Sequence, residues 1–430
     1  MNRFWKTITS LRLTVALLAC SVLLVFFGTL AQVDQGLWKA QQIWFRSFIV
    51  TMQHLRLFGL TFTVPLFPGG YLIGYTLLAN LTAAFLKRFT WRWDKIGVHF
   101  THAGVILLLL GQLLTDQLST ESHLRLKEGE TRNFSEDHLK DELAFSIDTT
   151  DGKEHVVAIP EAMMKPGQEI KADDLPFTIR VKDYQVNSQL RRRGPVVDGP
   201  AVATQGVGTQ LVAEKRPETT DMDSRNMPYA YIDLLKGGQS LGTWLVTPWL
   251  DLFETPVQDV TVDGKKYRLD FRSERYYKPF TVKLLKATHE SYRGTEIPKN
   301  FKSRVRIADS TTGEAHEVDI YMNHPLRYAG LTFYQYQMGQ DEMNRGGRET
   351  STLQVVHNPG WLAPYAGCYI VAIGMFIQFR QHLTKFLAKR LGKSSLHKGG
   401  WGVWVARVAE IVIIGYAVLK FTMNLIGYNS

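Results

Sequence analysis

Apolar residues gather at the two ends of the chain in five long runs: residues 13–31, 71–86, 96–114, 361–379 and 403–423. Each comes near the roughly 20 residues that a helix needs to cross a bilayer, so about five transmembrane helices are expected. The first run is too long for the core of a cleaved signal peptide. Residues 38–58 mix Trp44, Phe45 and Phe48 with Lys39, Arg46 and Arg56. That pattern reads as an amphipathic helix lying in the outer membrane interface, with a plain structural hairpin as the alternative. Pro65, Pro68, Gly69 and Gly70 break it before the second run.

The long middle alternates instead. Phe177-Thr178-Ile179-Arg180-Val181 and Phe280-Thr281-Val282-Lys283-Leu284 repeat with period two, the mark of half-buried strands. Thr150-Asp151-Gly152-Lys153 and Val262-Asp263-Gly264-Lys265 read as hairpin turns. Residues 191–227 are rich in Gly, Pro and charge and read as an irregular, mobile loop. The expected fold is an α+β membrane protein with one large, mainly antiparallel β domain. Three parts follow: a membrane region over 1–114 with three spans and the interfacial helix, the β domain over 115–358, and two spans over 359–430 joined by a basic connector.

Charge orients these parts. The segment before the first span, the one between the second and third, and the one after the fourth carry net charges of about three, three and six, against a formal total of +10. Basic residues concentrate on the cytoplasmic side of membrane proteins. The N-terminus is therefore expected inside a bacterial cytoplasmic membrane, with the β domain and the C-terminus outside. This distribution explains the charge without nucleic acid. Cys20 and Cys368 both sit in apolar runs. With no CxxC and no CxxCH, the chain has neither a dithiol redox motif nor an attachment site for c-type heme. Leu17-Leu18-Ala19-Cys20 imitates a lipoprotein cleavage site, but the apolar run continues past it.

The third run carries the candidate chemistry. His99 and His102 lie in its first half, roughly one and two turns deep at about 1.5 Å per residue. Ionisable groups inside a span are costly and mark function. Gly97, Gly104 and Gly111 recur every seventh residue and let another helix approach closely. The histidines fall well off that stripe, toward lipid, a cofactor or another protein. His102 is the better ligand for a metal or heme iron, since a neutral imidazole brings no charge into the membrane. His99 is shallow enough to sit at the headgroup boundary. In the β domain His123, His138, His155, His289 and His316 stand among polar residues and read as surface groups. On the fifth run Arg407 and Glu410 are spaced to neutralise each other.

Two passages resemble a known family. One is Glu290-Ser291-Tyr292-Arg293-Gly294-Thr295-Glu296-Ile297-Pro298-Lys299-Asn300-Phe301-Lys302-Ser303. The other is Asn323-His324-Pro325-Leu326-Arg327-Tyr328-Ala329-Gly330-Leu331-Thr332-Phe333-Tyr334-Gln335. With the histidine helix, and with Ser10-Leu11-Arg12-Leu13 leading to Gly28-Thr29-Leu30, they resemble the ResB (CcsB) family of system II cytochrome c biogenesis. The resemblance implies a subunit working with a ResC/CcsA-type membrane protein, which brings the tryptophan-rich heme-handling loop that this chain lacks. The pair would carry heme outward and attach it to CxxCH cysteines of apocytochrome c, with a thioredoxin-like reductant as a further partner. The family's heme-holding histidine maps onto His102, with His99 as the alternative and heme b as a transient cofactor. His324 reads as a structural loop histidine. The aromatic stretch Tyr334, Gln335 and Tyr336 is expected to face the apocytochrome or the partner, with a place in the β core as its alternative.

Three readings follow. The first is a non-catalytic or co-catalytic subunit of a cytochrome c heme lyase complex, positioning heme and apoprotein without supplying a nucleophile. The second is a b-type cytochrome, which needs axial ligands on facing helices. The third is a cofactor-free anchor that displays a β-rich interaction domain among membrane lipid.

Overall fold

The computed structural model describes residues 3–57, 60–148, 154–194, 198–219, 225–252, 257–293, 298–340, 349–390, 415–416 and 420. Two compact units emerge. One comprises residues 1–120, 326–333 and 356–430; the other comprises 121–325 and 334–355. Most of the fifth apolar run, with Arg407 and Glu410, and the turn at 150–153 lie outside the described residues.

The first unit is built on four long helices: α1 (Leu11–Gln35), α2 (Gly70–Arg88), α3 (Ile96–Leu118) and α4 (Ala363–Arg390). Among the described residues, α1 and the Trp93–Leu118 segment are long and apolar enough to cross a membrane. Ser10 caps α1, its hydroxyl accepting from the Leu13 amide at 3.2 Å, which ties up one of the amides left unpaired at a helix start. Asn80 of α2 is fully buried. Its amide donates to the Ile8 carbonyl at 2.6 Å while its oxygen accepts from Thr14 at 2.6 Å. A buried amide with its bonds made fixes register between α1 and α2.

Helices α3 and α4 interlock through glycine. Gly97, Gly104 and Gly111 are all buried. A methyl group at Gly97 would meet the Gly374 carbonyl at 2.8 Å; at Gly104, the Gly367 carbonyl at 2.9 Å; at Gly111, Ala363 at 2.4 Å. Gly360, Gly367 and Gly374 repeat the same seven-residue spacing in the opposite direction, so the helices run antiparallel. Backbones approach this closely only where neither helix carries a side chain.

Residues 38–58 do not form the expected interfacial helix. A helical turn, Leu37–Ala40, passes into a π-turn at Gln41–Phe45, and the chain then forms strands Ile49–Leu57 and Leu60–Pro68. These pair antiparallel, Ile49 opposite Pro68 and Leu57 opposite Leu60. The period-two run Thr61-Phe62-Thr63-Val64 and Pro65 favour a strand, and this outweighs the helical spacing of the aromatics upstream. The fourth helix also outlasts its apolar run, continuing to Arg390 through the basic residues. Loss of hydropathy does not end a helix when Lys and Arg keep high propensity.

The second unit is antiparallel β. One sheet runs Gln239–Val246, Tyr229–Lys236, Thr178–Gln185, Glu169–Ile170. A larger sheet is organised around the strand Lys265–Ser291, which pairs with Pro298–Asp309 on one side and Thr131–Asp148 on the other. Between the sheets lie Leu143, Phe145, Phe177, Ile179, Ile232, Trp244, Tyr267 and Phe271. The expected turn at 262–265 is present, Val262 facing Lys265, with Asp263 and Gly264 both at positive φ. Within 191–227 the described residues include regular pairing that their composition does not suggest. Ser188–Arg192 pairs with Leu211–Lys215, and Arg191 Nη1 donates to Asp198 at 2.7 Å.

Candidate functional site

The histidine helix begins just after the turn that closes α2. His99 Nε2 lies 2.8 Å from the Thr90 carbonyl, while His102 Nδ1 lies 2.8 Å from the Val98 carbonyl one turn back on its own helix. A carbonyl accepts only, so each of those nitrogens carries the proton. The two histidines therefore present opposite nitrogens. His99 exposes the lone pair of Nδ1, on the crowded side of the ring. His102 exposes that of Nε2, at the far tip, which has no hydrogen-bond partner among the described residues. A backbone bond from Nδ1–H is the usual way a protein holds an imidazole so that Nε2 binds a metal.

The histidines do not turn away from the chain's own helices. Phe85 of α2 stacks on His102 with ring centres 6.3 Å apart and planes at 12°, and meets His99 edge-on at 5.9 Å. Phe89 lies 4.7 Å from His99. The glycine stripe does turn one face of α3 to α4, but α2 covers part of the other. Both rings remain partly accessible. The site is thus a partly accessible pair of imidazoles flanked by Phe85 and Phe89, with the His102 Nε2 unpartnered among the described residues. At the other end of α3, Asp116 accepts from Tyr71 at 2.6 Å and pairs with Arg46 at 3.0 Å, tying α2, α3 and the π-turn together.

In the second unit, Tyr334 and Tyr336 are exposed on one face of their strand. Gln335 is turned the other way, accepting from Ser303 at 2.6 Å and donating to Ser351 at 3.1 Å. The tyrosines and Gln335 therefore do not form one surface. His324 is exposed and stacks on Tyr321, 4.6 Å between ring centres.

Four of the five β-domain histidines named from sequence are exposed, but His123 is half-buried. Its ring sits 5.4 Å from His138 and 4.8 Å from Tyr336. Its Nδ1 is buried without a hydrogen-bond partner. Burial lowers the pKa of His123, with His138 adding to the effect, and burial with Arg225 nearby lowers that of His138. Polar neighbours in sequence marked His123 as a surface group; its cover comes from Tyr336, far away in sequence.

Residues 256–346 match the ResB-like family model, a segment that contains both passages singled out in the sequence. The resemblance to the ResB family is shown through that segment. A stretch of 152 residues, 35% of this chain, is 27% identical to Protein NrfI of Wolinella succinogenes. The match spans only 15% of that protein.

Proposed function

We propose that the chain is a membrane subunit of a system II cytochrome c maturation complex. In this reading it helps carry heme outward and presents it with apocytochrome c for covalent attachment at CxxCH. The ResB-like segment supports the pathway, and the unpartnered Nε2 of His102 on α3 supports the cargo. Five spans, of which α1 and α3 are the most apolar, would place the N-terminus in the cytoplasm and the β domain outside. A ResC/CcsA-type protein would complete the complex, with a thioredoxin-like reductant keeping the apocytochrome thiols reduced.

The observation that carries the reading is the tautomer of His102. Its Nδ1–H is committed to Val98, so Nε2 is the donor aimed away from the helix. Phe85, stacked nearly parallel on the His102 ring, fixes the orientation of that imidazole. Heme supplies the iron that takes an axial imidazole and the vinyl groups that become thioethers. His102 would hold the iron through Nε2, and another subunit or an exchangeable ligand would complete its coordination. His99 spends its tip nitrogen on Thr90.

His102→Gly is expected to strip heme from the complex purified with its partner, and added imidazole to restore part of it by filling the vacated position. His99→Gly should lose less. Full heme content and full cytochrome maturation in His102→Gly would refute the assignment and move the anchor reading ahead.

A further inference from the structure

The β domain holds a second imidazole site, independent of the reading above. The geometry points to His123 and His138 as a two-imidazole site for a borderline divalent metal ion such as Zn2+ or Cu2+, on the face of the sheet that Tyr336 covers. Three observations support it. The first is spacing. Two imidazoles bound to one tetrahedral ion, at metal–nitrogen distances of about 2.0–2.1 Å, have ring centres about 5 Å apart. The His123 and His138 rings stand at 5.4 Å with planes at 68°, so a small rotation of either brings a nitrogen of each to a common point.

The second is an unmet need. His123 Nδ1 is buried and has no partner among the described residues. A buried imidazole nitrogen with no hydrogen-bonding group is costly as built, and a metal bound to it would remove the cost. The third is the field. Glu121 and Asp137 bring negative charge to His123, although burial and His138 outweigh them there and burial and Arg225 act against a cation at His138. Asp137 supplies charge and not a ligand. One of its oxygens accepts from the Leu139 and Lys140 amides at 2.8 and 3.1 Å, the other from the Tyr276 hydroxyl at 2.9 Å.

Among the described residues no third His, Cys, Asp or Glu completes the set. The site is therefore open, with two protein nitrogens and positions left for water or for a donor from a docked molecule. Nitrogen donors with open positions favour Zn2+ and Cu2+ over Mg2+ or Ca2+, which take oxygen. Tyr336, its ring 4.8 Å from His123, restricts entry to one side.

The test uses the full chain in detergent, freed of any affinity tag and stripped with a chelator. Co2+ serves as the visible-absorption probe and Zn2+ as its competitor. One Co2+ per chain is expected, displaced by Zn2+. His123→Ala and His138→Ala should each weaken binding by at least about tenfold, and His155→Ala, an exposed histidine on another strand, should not change it. His138 is exposed, so its replacement leaves the fold intact, as circular dichroism would verify. Binding unchanged in His138→Ala, or no saturable binding in the unaltered chain, would overturn the assignment.

Discussion

Gly104→Ala tests the glycine interlock that places the histidine helix. A new Cβ at Gly104 would stand 2.6 Å from Val371 Cγ2, 2.9 Å from the Gly367 carbonyl oxygen and 2.9 Å from the Val371 amide nitrogen. Two of those neighbours are backbone atoms and have no rotamer to escape into. Relaxed contacts lie near 3.5–4.0 Å, so α3 and α4 must separate by roughly 1 Å. Overpacking of this kind costs about 1–3 kcal/mol, and rigid neighbours put it near the upper end. Against it stands the helix propensity of alanine, a gain of about 1 kcal/mol. The net expectation is a loss of about 2 kcal/mol. Gly74→Ala in α2 is the matched control, because a Cβ there meets nothing within 4 Å. It keeps the propensity gain and escapes the clash, so the two substitutions should move stability in opposite directions. Thermal unfolding of the purified chain in one detergent, followed by circular dichroism, decides it. If Gly104→Ala melts as high as Gly74→Ala, the helices do not depend on this contact.

In the β domain, burial pushes Asp141 up to about 7 even with Arg225 paired to it. A carboxyl whose folded pKa is raised binds its proton more tightly folded than unfolded. Its contribution is therefore full below the ordinary value of 3.8 and lost as pH rises through about 7. Asp141→Asn should flatten the stability of the chain over that window, as read by denaturant midpoints at successive pH values; an unchanged slope would assign the dependence to other groups. Arg272 is buried with Glu142, Nε to oxygen 3.1 Å, and stands 3.5 Å from Asp270. Arg272→Leu leaves that carboxylate unpaired and should cost about 3–5 kcal/mol, part of it recovered by Glu142→Gln in the same chain; denaturant unfolding of the single and double variants gives the comparison. Tyr336→Ala, at a side chain 56% exposed, should lower holocytochrome yield while leaving the melting temperature nearly unchanged. A large thermal loss would make Tyr336 a structural cover and not an interaction residue.

The glycine stripe of α3 was legible because a seven-residue repeat needs no knowledge of the neighbour. Its counterpart, Gly360, Gly367 and Gly374, carries the same signal and identifies α4 as that neighbour. What angular position on α3 left open was how many helices surround it. The histidines lie off the stripe, yet Phe85 and Phe89 reach them from α2. One packed face says nothing about a second. The hairpin at 49–68 stood second to an interfacial helix because two periods compete there, the aromatic spacing near Trp44 suggesting a helix and the Thr-Phe-Thr-Val run a strand. His123 shows the corresponding limit in the sheet. Alternation assigns it a face, but only the distant strand carrying Tyr336 determines whether that face is covered.

The preference for His102 over His99 rests on depth in the sequence and on hydrogen bonding in the structure, and the two are independent. Depth alone separates the residues by one turn, a weak distinction for side chains as long as imidazole. Hydrogen bonding separates them chemically. His102 bonds to a carbonyl of its own helix, so its partner does not depend on the neighbouring helices. His99 depends on Thr90, in the connection between α2 and α3. If that connection shifted, His99 would lose its partner and its Nε2 would become available. The site thus has one donor fixed by local geometry and a second held in check by a turn. Heme content should accordingly follow His102 in every variant, and His99 only where Thr90 is displaced.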